Sequence, residues 1–174
     1  MKESRMTLEL KSFVQAGVGW QWRDATTAGS TADSGTMPFR LNFAAGSDPG
    51  CADLVWRQFG RSLADGQSDV WDLTDLPFSV FESELRFAFS SVRAMLLVNR
   101  GESTGEIYLS GSEPAPWLGP LADPSQTLAV APGSPLLWAH ANDGWAVEAP
   151  HHLLRVEAYG GDATYDLVLL GVRA

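Results

Sequence analysis

The chain has 174 residues, of which 45% are hydrophobic and 19% are charged, and its formal net charge is −9. The length suits one core of ordinary size, and the composition is that of a globular protein and excludes an intrinsically disordered one. An acidic surface repels the phosphate backbone, and no cluster of Lys or Arg offsets it, so we expect no nucleic-acid partner.

Residues 1–11 carry Lys, Glu and Arg at short intervals, whereas a signal peptide needs an uninterrupted apolar stretch. No later segment approaches the ~20 apolar residues of a membrane-spanning helix. We therefore expect a soluble protein that is made in the cytoplasm, without a signal peptide and without a membrane partner.

The first predicted elements lie before residue 44. Residues 1–24 are predicted to form an N-terminal arm, in which Trp20 and Trp22 share one parity and would lie on one strand face. Residues 25–36 contain only Thr, Ala, Gly, Ser and Asp, which predicts a flexible loop between this arm and the main domain. Residues 37–43 alternate between apolar and polar, as a half-buried strand does.

The middle of the chain continues the pattern of short apolar runs. Residues 54–61 and 70–73 are predicted strands on either side of an Asp65-Gly66 turn, and a short helical turn is predicted at residues 78–84. Residues 85–98 indicate a strand with a bulge at Ser90-Ser91, which would keep two apolar sets of opposite parity, residues 85, 87 and 89 and residues 92, 94, 96 and 98, facing the core. A helix over residues 89–97 is the competing interpretation, and residues 105–109 are expected to return as the neighbouring strand.

The C-terminal half has the clearest alternation of apolar runs and turn residues. Turns are indicated at Pro132-Gly133, Asn142-Asp143-Gly144 and Gly160-Gly161-Asp162, two of which suit tight hairpins. The apolar runs between them, which predict an antiparallel meander, are residues 127–130, 136–139, 145–147, 153–159 and 165–170.

About ten strands result from this count, which predicts one all-β domain over residues 1–174. An antiparallel β-sandwich, with jelly-roll-like connections and the N-terminal arm, fits this pattern best. An up-and-down barrel is the alternative.

The sequence contains no motif that predicts catalysis. It has no nucleophile elbow, P-loop, dinucleotide fingerprint or EF-hand loop, so we predict no catalytic residues, no cofactor and no enzyme activity. Several acidic residues lie close together in sequence between Asp65 and Glu84. A glycosidase needs two carboxyls across a cleft, which closeness in sequence does not establish, so these residues are better explained as solvated turn and strand-end residues. Cys51 is the only cysteine, which excludes an intramolecular disulfide and favours an incidental apolar residue.

Three histidines raise the question of a metal site. His151 and His152 are adjacent, so in a strand they would point to opposite faces and could not bind one ion together. His140 could meet one of them across a sheet, with Asp143 or another carboxylate nearby. We predict no metal site, because turn and edge positions explain these histidines more simply.

Seven tryptophans are many for this length, and they divide into two groups. Trp56, Trp71 and Trp138 lie inside apolar strands and are expected to fill the core or a subunit interface. The candidate aromatics for a glycan or an interface, since exposed rings can stack on sugars, are Trp20, Trp22, Trp117 and Trp145.

A recurring order of strands and turns also suggests a family. It runs from Asp72-Leu73-Thr74-Asp75-Leu76 through Leu97-Val98-Asn99, Val130-Ala131-Pro132-Gly133 and Asp143-Gly144-Trp145-Ala146-Val147 to Leu154-Arg155-Val156 and the closing strand at residues 164–171. This order resembles small β-sandwich proteins that are encoded beside phage and prophage structural genes. The resemblance covers roughly residues 54–171 and does not extend to the arm before Ala44.

The resemblance implies a virion-associated or tail/head accessory protein without catalysis, which assembles into a virion. Its partners would be other copies of itself in a homo-oligomer and other virion proteins. The alternative function is a carbohydrate-binding β-sandwich module with a glycan as partner, in which Trp20 and Trp22 form the binding platform. No cofactor is implied in either case.

Overall fold

The computed structural model describes residues 10–26, 29–80 and 83–174. Within these residues the chain forms fourteen β-strands and one short 3-10 helix, Gly119–Leu121, so the prediction of an all-β chain is confirmed. In chain order the strands are β1 (Ser12–Thr26), β2 (Gly29–Ala45), β3 (Cys51–Ala52), β4 (Leu54–Leu63), β5 (Ser68–Asp72), β6 (Leu76–Val80), β7 (Ser83–Phe87), β8 (Phe89–Asn99), β9 (Glu106–Gly111), β10 (Thr127–Val130), β11 (Pro135–Ala139), β12 (Trp145–Ala146), β13 (Leu153–Tyr159) and β14 (Ala163–Arg173).

Two antiparallel sheets form a sandwich with jelly-roll topology. One sheet has the order β10-β9-β13-β5, and the other has the order β11-β8-β14-β4, with the short β12 also paired to β8. Numbered along the chain, the eight main strands read 5-4-7-2 in the first sheet and 6-3-8-1 in the second, which is the strand order of a jelly roll.

The predicted C-terminal meander is wrong. Among the eight main strands, every connection crosses between the two sheets except the one that joins β9 to β10. The turn at Gly160-Gly161 therefore joins strands of different sheets, and β9 does not lie beside β8 as expected. Alternation of apolar and polar residues identifies which face of a strand is buried. It does not identify the neighbouring strand, because the next strand can lie in the facing sheet as well as beside the first one in a hairpin.

The main core lies between the two sheets, and strict alternation places its side chains there. On β14, for example, Tyr165, Leu167 and Leu169 are fully buried, whereas Asp166 and Val168 face outward and are half-buried. Each fully buried apolar side chain of this kind contributes roughly 1.5–3 kcal/mol.

Two β-bulges in β8 decide which of its side chains reach this core. Relative to β14, the register of β8 shifts at Ser90 and again at Arg93. The predicted bulge near Ser90 is confirmed, but the second bulge reverses the phase, so the expectation that residues 94, 96 and 98 face the main core is wrong. The side chains of β8 that reach the core are Phe89, Val92, Met95 and Leu97.

The N-terminal region is a long two-stranded ribbon rather than an arm followed by a loop. β1 and β2 pair antiparallel from Ser12 opposite Phe43 to Thr26 opposite Gly29. The prediction of a flexible loop at residues 25–36 is therefore wrong for the ten of these residues that the structure describes, because they are all in strands. Residues 1–9 of the predicted arm, and residues 27 and 28, lie outside the described residues. We call the pair of β1 and β2 the ribbon.

A second hairpin, formed by β6 and β7, occupies the place where a helical turn was predicted. Leu76–Val80 and Ser83–Phe87 are strands, so the helical prediction is wrong, and residues 81 and 82 lie outside the described residues. Stacking of Phe78 on Phe87, with ring centroids 4.9 Å apart, holds this hairpin together. The indole of Trp56 fixes it to the core by donating to the Pro77 carbonyl at 2.8 Å.

Candidate functional site

The ribbon is amphipathic from its base to Trp22. Residues directly opposite each other in an antiparallel pair share a face, so the register assigns every described ribbon residue to one of two faces. One face carries polar side chains such as Gln15, Gln21 and Arg40, apart from Phe13 near its start. The other face, which we call the apolar face, presents Ala16, Val18, Trp20, Trp22, Met37 and Phe39, and toward the ribbon tip it also carries Asp33, opposite Trp22, and Asp24.

At its base, the ribbon's apolar side is buried against the sandwich. Val14 and Phe43 are 8% and 3% exposed, and they form a second small core with Ala94 and Leu170 on the outer face of the β11-β8-β14-β4 sheet. Leu41 packs against the same cluster. This contact anchors the ribbon to the domain.

Beyond the base, the described residues of the apolar face are largely exposed. Val18 is 69% exposed and Met37 is 72% exposed, although they are direct cross-strand partners, and Phe39 is 52% exposed. Contiguous exposed apolar surface of this kind marks an interaction site in soluble proteins, since it costs free energy when left in water.

Trp20 and Trp22 lie on this same face, as the sequence predicted. They are 46% and 52% exposed. The indole of Trp20 lies across Gly35, where a side chain would overlap the ring, and its Nε1–H donates to Asp33 Oδ2 at 2.9 Å. One ring face of Trp20 is therefore held by the ribbon while the other is offered to solvent.

The polar face of the ribbon is tied together by Arg40. Its Nε donates to Asn42 Oδ1 at 2.9 Å, and its guanidinium carbon lies 4.0 Å from the centre of the Phe13 ring. A second hydrogen bond, of 3.4 Å, joins Arg40 to Gln15 Oε1. The polar side chains around Arg40 therefore bond to one another within this face, so we expect association to use the apolar face.

Next to the ribbon base, an open apolar groove of about 550 Å³ crosses the outer face of the β11-β8-β14-β4 sheet. Residues 10–15 form one wall. The floor of the groove is formed by the apolar residues Val55, Ala94, Leu96, Leu137, Val168 and Leu170. We call it the outer-sheet groove.

The remaining candidate tryptophans are placed differently. Trp117 is only 2% exposed, with its Nε1–H donating to the Ala146 carbonyl at 2.9 Å, so it cannot offer a ring to a glycan or a partner. Although it lies in a loop, that loop folds the ring into the main core. Trp145 is half-buried and packs edge-on against His140, with ring centroids 5.7 Å apart. Only Trp20 and Trp22 remain available as surface aromatics among the four candidates.

The histidines have structural roles and do not converge. His140 Nδ1 accepts from the backbone N–H groups of Asn142 and Gly144 at 3.3 and 3.2 Å, which shapes the turn that they form. His151 Nδ1 lies 3.1 Å from the Pro116 carbonyl oxygen. Within the described residues, no three His, Cys, Asp or Glu side chains are grouped so that they could hold a metal ion.

A partly buried polar network connects the two sheets, and no pattern in the sequence predicts it. Asp69 accepts two hydrogen bonds of 2.8 Å from Arg61, and its Oδ2 accepts a third, of 2.7 Å, from the Tyr165 hydroxyl. The Trp71 indole N–H donates to the same hydroxyl at 3.0 Å. Because these four residues come from three different strands, their proximity follows only from the jelly-roll topology.

The network shifts the protonation of its members in opposite directions. Burial by itself would raise the pKa of Asp69, but the hydrogen bonds from Arg61 and Tyr165 outweigh it and hold the pKa below the ordinary value. Burial raises the pKa of the Tyr165 hydroxyl strongly, and the Asp69 carboxylate adds to the effect. The network is therefore an ionised carboxylate held by donors, and it offers no free acid or base.

A second ion pair fixes a β-bulge in β4. Arg100 binds both carboxylate oxygens of Asp166 at 2.7–3.1 Å, and Asp166 Oδ1 also accepts from the Gly60 N–H at 2.7 Å. The hydrogen bond from Arg100 lowers the pKa of Asp166. Gly60 has φ +62°, a left-handed conformation that suits glycine at a bulge.

Asp65, Asp72 and Asp75 lie at turns or strand ends, as predicted, whereas Asp69 and Glu84 lie within strands and Glu82 lies outside the described residues. Asp72 Oδ1 accepts from the Thr74 N–H and hydroxyl at 2.9 and 2.6 Å, and Asp65 Oδ1 accepts from the Gly161 N–H at 3.1 Å. Asp75 forms an exposed ion pair with Arg86 at 3.4 Å. These contacts stabilise turns and do not form a catalytic pair.

Among the described residues, no helix has the length and hydrophobicity that crossing a membrane requires. No protein-family model, curated protein or solved structure matches this chain.

Proposed function

We propose that this chain is a non-enzymatic structural protein that associates with copies of itself through the apolar face of the ribbon. As the resemblance of residues 54–171 suggests, it would be a virion-associated accessory protein. The observation that carries the proposal is the exposure of Val18, Trp20, Trp22, Met37 and Phe39 on one face of a ribbon that stands clear of the sandwich.

The distribution of charge supports association through the ribbon. Residues 12–45 carry two arginines and two aspartates, so their formal charge is zero, whereas residues 46–174 carry seven arginines against 17 carboxylates. Two such acidic domains repel each other when they meet directly. The uncharged part of the apolar face, which contains Val18, Trp20, Met37 and Phe39, can therefore approach another copy with less of this repulsion.

The fold is compatible with this role without deciding it. Jelly rolls serve as viral capsid domains, as lectins and as metal-binding cupins, so fold alone does not assign a function. The pKa values of Asp69 and Asp166 are lowered because both carboxylates form ion pairs with arginines. This structural explanation favours a non-catalytic role.

The test is a pair of double variants that add the same charge to opposite faces of the ribbon. Val18→Glu with Met37→Glu places two carboxylates on the apolar face, and Gln21→Glu with Thr36→Glu places two on the polar face. We expect the first variant to be monomeric and the second to keep the wild-type solution mass, because an unpaired charge is costly to bury in an apolar contact. Equal masses for both variants would contradict the proposal, provided that circular dichroism shows both to be folded.

A carbohydrate-binding module is the second candidate, favoured by the exposure of Trp20 and Trp22 on one face. Residues two apart on a strand are separated by about 6.8 Å, so the two rings could contact neighbouring sugars. Binding would change tryptophan fluorescence on addition of a glycan panel, and Trp22→Ala would abolish that change. Fluorescence that no glycan alters would remove this candidate.

A further inference from the structure

We infer that the apolar face of the ribbon of one copy packs into the outer-sheet groove of a second copy. This inference rests on the proposed self-association and adds the surface that receives the ribbon. The occupant of the groove is thus a second copy of this chain, contributing Val18, Trp20, Met37 and their neighbours on that face.

The first support is continuity with a contact that the chain already makes. At the ribbon base, Val14, Leu41 and Phe43 pack on Ala94 and Leu170 of the outer sheet face. The apolar face continues the same side of the ribbon outward, with side chains of the same kind. What the base does within one chain, the exposed part can do on the equivalent sheet face of another.

The second support is that this sheet face is only half covered. The register aligns Ala139, Ala94, Leu170 and Val55 in one row across the sheet, and the ribbon base covers Ala94 and Leu170, which are 4% and 7% exposed. Val55, at the end of the row, stays 40% exposed. In the next row Leu137, Leu96 and Val168 are apolar and only half-buried, and the row ends at the exposed Arg57 on β4.

The charge and the area of the apolar face both suit a contact with the outer-sheet groove of a second copy. The groove floor consists of apolar side chains, and the residues that would enter it, Val18, Trp20, Met37 and Phe39, carry no charge, whereas Asp24 and Asp33 lie nearer the tip of the same ribbon face. Three half-exposed aromatic rings with Val18 and Met37 offer on the order of 500 Å² of apolar area, since each aromatic side chain has roughly 150–250 Å². This is about the area that one partner contributes to a specific interface of ~1,000 Å² in total.

The two contact surfaces are different parts of the chain, which makes a complementation experiment decisive. A ribbon variant, Val18→Glu with Met37→Glu, retains an intact groove. A groove variant, Val55→Glu, retains an intact ribbon, and Val55 lies on an edge strand where an exposed substitution leaves the fold in place. We expect each variant alone to dissociate on the order of tenfold more readily than wild type, and an equimolar mixture to form mixed pairs through the one intact contact.

The matched control is Val70→Glu. Val70 is 49% exposed on edge strand β5 of the opposite sheet, and its substitution adds the same charge as Val55→Glu. It should leave the dissociation constant within about threefold of wild type. Sedimentation of the variants, with one member of each mixture fluorescently labelled, measures both the mass and the composition of the pairs.

Each result separates this inference from the proposed function. Dissociation of the ribbon variant with wild-type assembly of Val55→Glu would overturn the groove as receptor and leave self-association intact. Dissociation of both variants without mixed pairs would also overturn it, because the two defects would then lie on one shared surface. A wild-type chain that is monomeric throughout would overturn both proposals.

Discussion

The Trp20 ring lies against Gly35, its direct partner on the neighbouring strand, and is fixed there by its hydrogen bond to Asp33. A large ring is thereby placed over a residue without a side chain, in the middle of an otherwise solvated ribbon. This pairing covers the backbone of β2 at Gly35 and orients the remaining ring face outward, so it organises the surface through which we propose that the protein assembles.

Gly35→Ala should displace the Trp20 ring. An added Cβ would overlap the indole, and because Trp20 is exposed, the ring can swing into solvent at little cost to the fold. We expect the indole N–H resonance of Trp20, assigned with Trp20→Phe, to move to a solvent-exposed position in a ¹H–¹⁵N spectrum. Gly19→Ala is the control, since its Cβ would meet Thr36 Cγ2 at an ordinary 3.6 Å. An unchanged Trp20 resonance in Gly35→Ala would show that the ring does not lie on Gly35.

The ribbon shows where sequence patterns fail. β1 is recognisable because Trp20 and Trp22 alternate with polar residues, but the first half of β2, from Gly29 to Thr36, is exposed on nearly every residue and has no alternation to read. Its strand conformation is imposed by backbone pairing with β1. A stretch of small polar residues predicts a loop equally well, so the ribbon could not be predicted.

The topology is a second case. The predicted strands at residues 153–159 and 165–170 correspond to β13 and β14, and the positive φ of Gly160, +74°, agrees with the turn predicted between them. The error lay in pairing these strands with each other, because parity identifies the buried face and says nothing about the neighbour. The network of Asp69 and Tyr165 joins β5 to β14 across the two sheets, so it too could not be predicted from the sequence.

Tyr165→Phe should lower the free energy of unfolding by about 1–3 kcal/mol. The substitution keeps the ring but leaves the Trp71 indole N–H without its acceptor and removes one donor from Asp69. Urea unfolding measures the loss. Tyr159→Phe, at an exposed tyrosine, is the control and should change stability by less than about 0.5 kcal/mol. Equal losses in both variants would mean that the buried hydroxyl contributes nothing specific.

Asp69 should make stability depend on acid pH. Its folded-state pKa lies below the ordinary value of 3.8, so its contribution is present above that value and is lost as the pH falls through the lowered pKa. We expect the difference in unfolding free energy between wild type and Asp69→Asn to stay constant above about pH 5 and to shrink as the pH falls below the ordinary pKa of 3.8. Asp24→Asn removes the same charge from the exposed ribbon and is the control. A difference that stays constant with pH would contradict the assigned hydrogen bonds.

Gly60→Ala should destabilise the sandwich through the backbone. A residue with a Cβ at φ +62° costs about 1–2 kcal/mol, and the bulge also positions the Gly60 N–H on Asp166. Gly101→Ala, where no heavy atom lies within 4 Å of an added Cβ, is the control and should stay within about 0.5 kcal/mol of wild type. Thermal unfolding of the two variants side by side distinguishes them, and a loss that is no larger at Gly60 would argue against the bulge.

The central claim is that the protein associates with itself, and light scattering after gel filtration tests it most directly. The wild-type chain, of 18.8 kDa, would be measured over a dilution series. We predict a solution mass that is a whole-number multiple of 18.8 kDa, twofold or more, at the higher concentrations. A mass of 18.8 kDa at every concentration would contradict the account and would leave the apolar face of the ribbon to a partner of another kind.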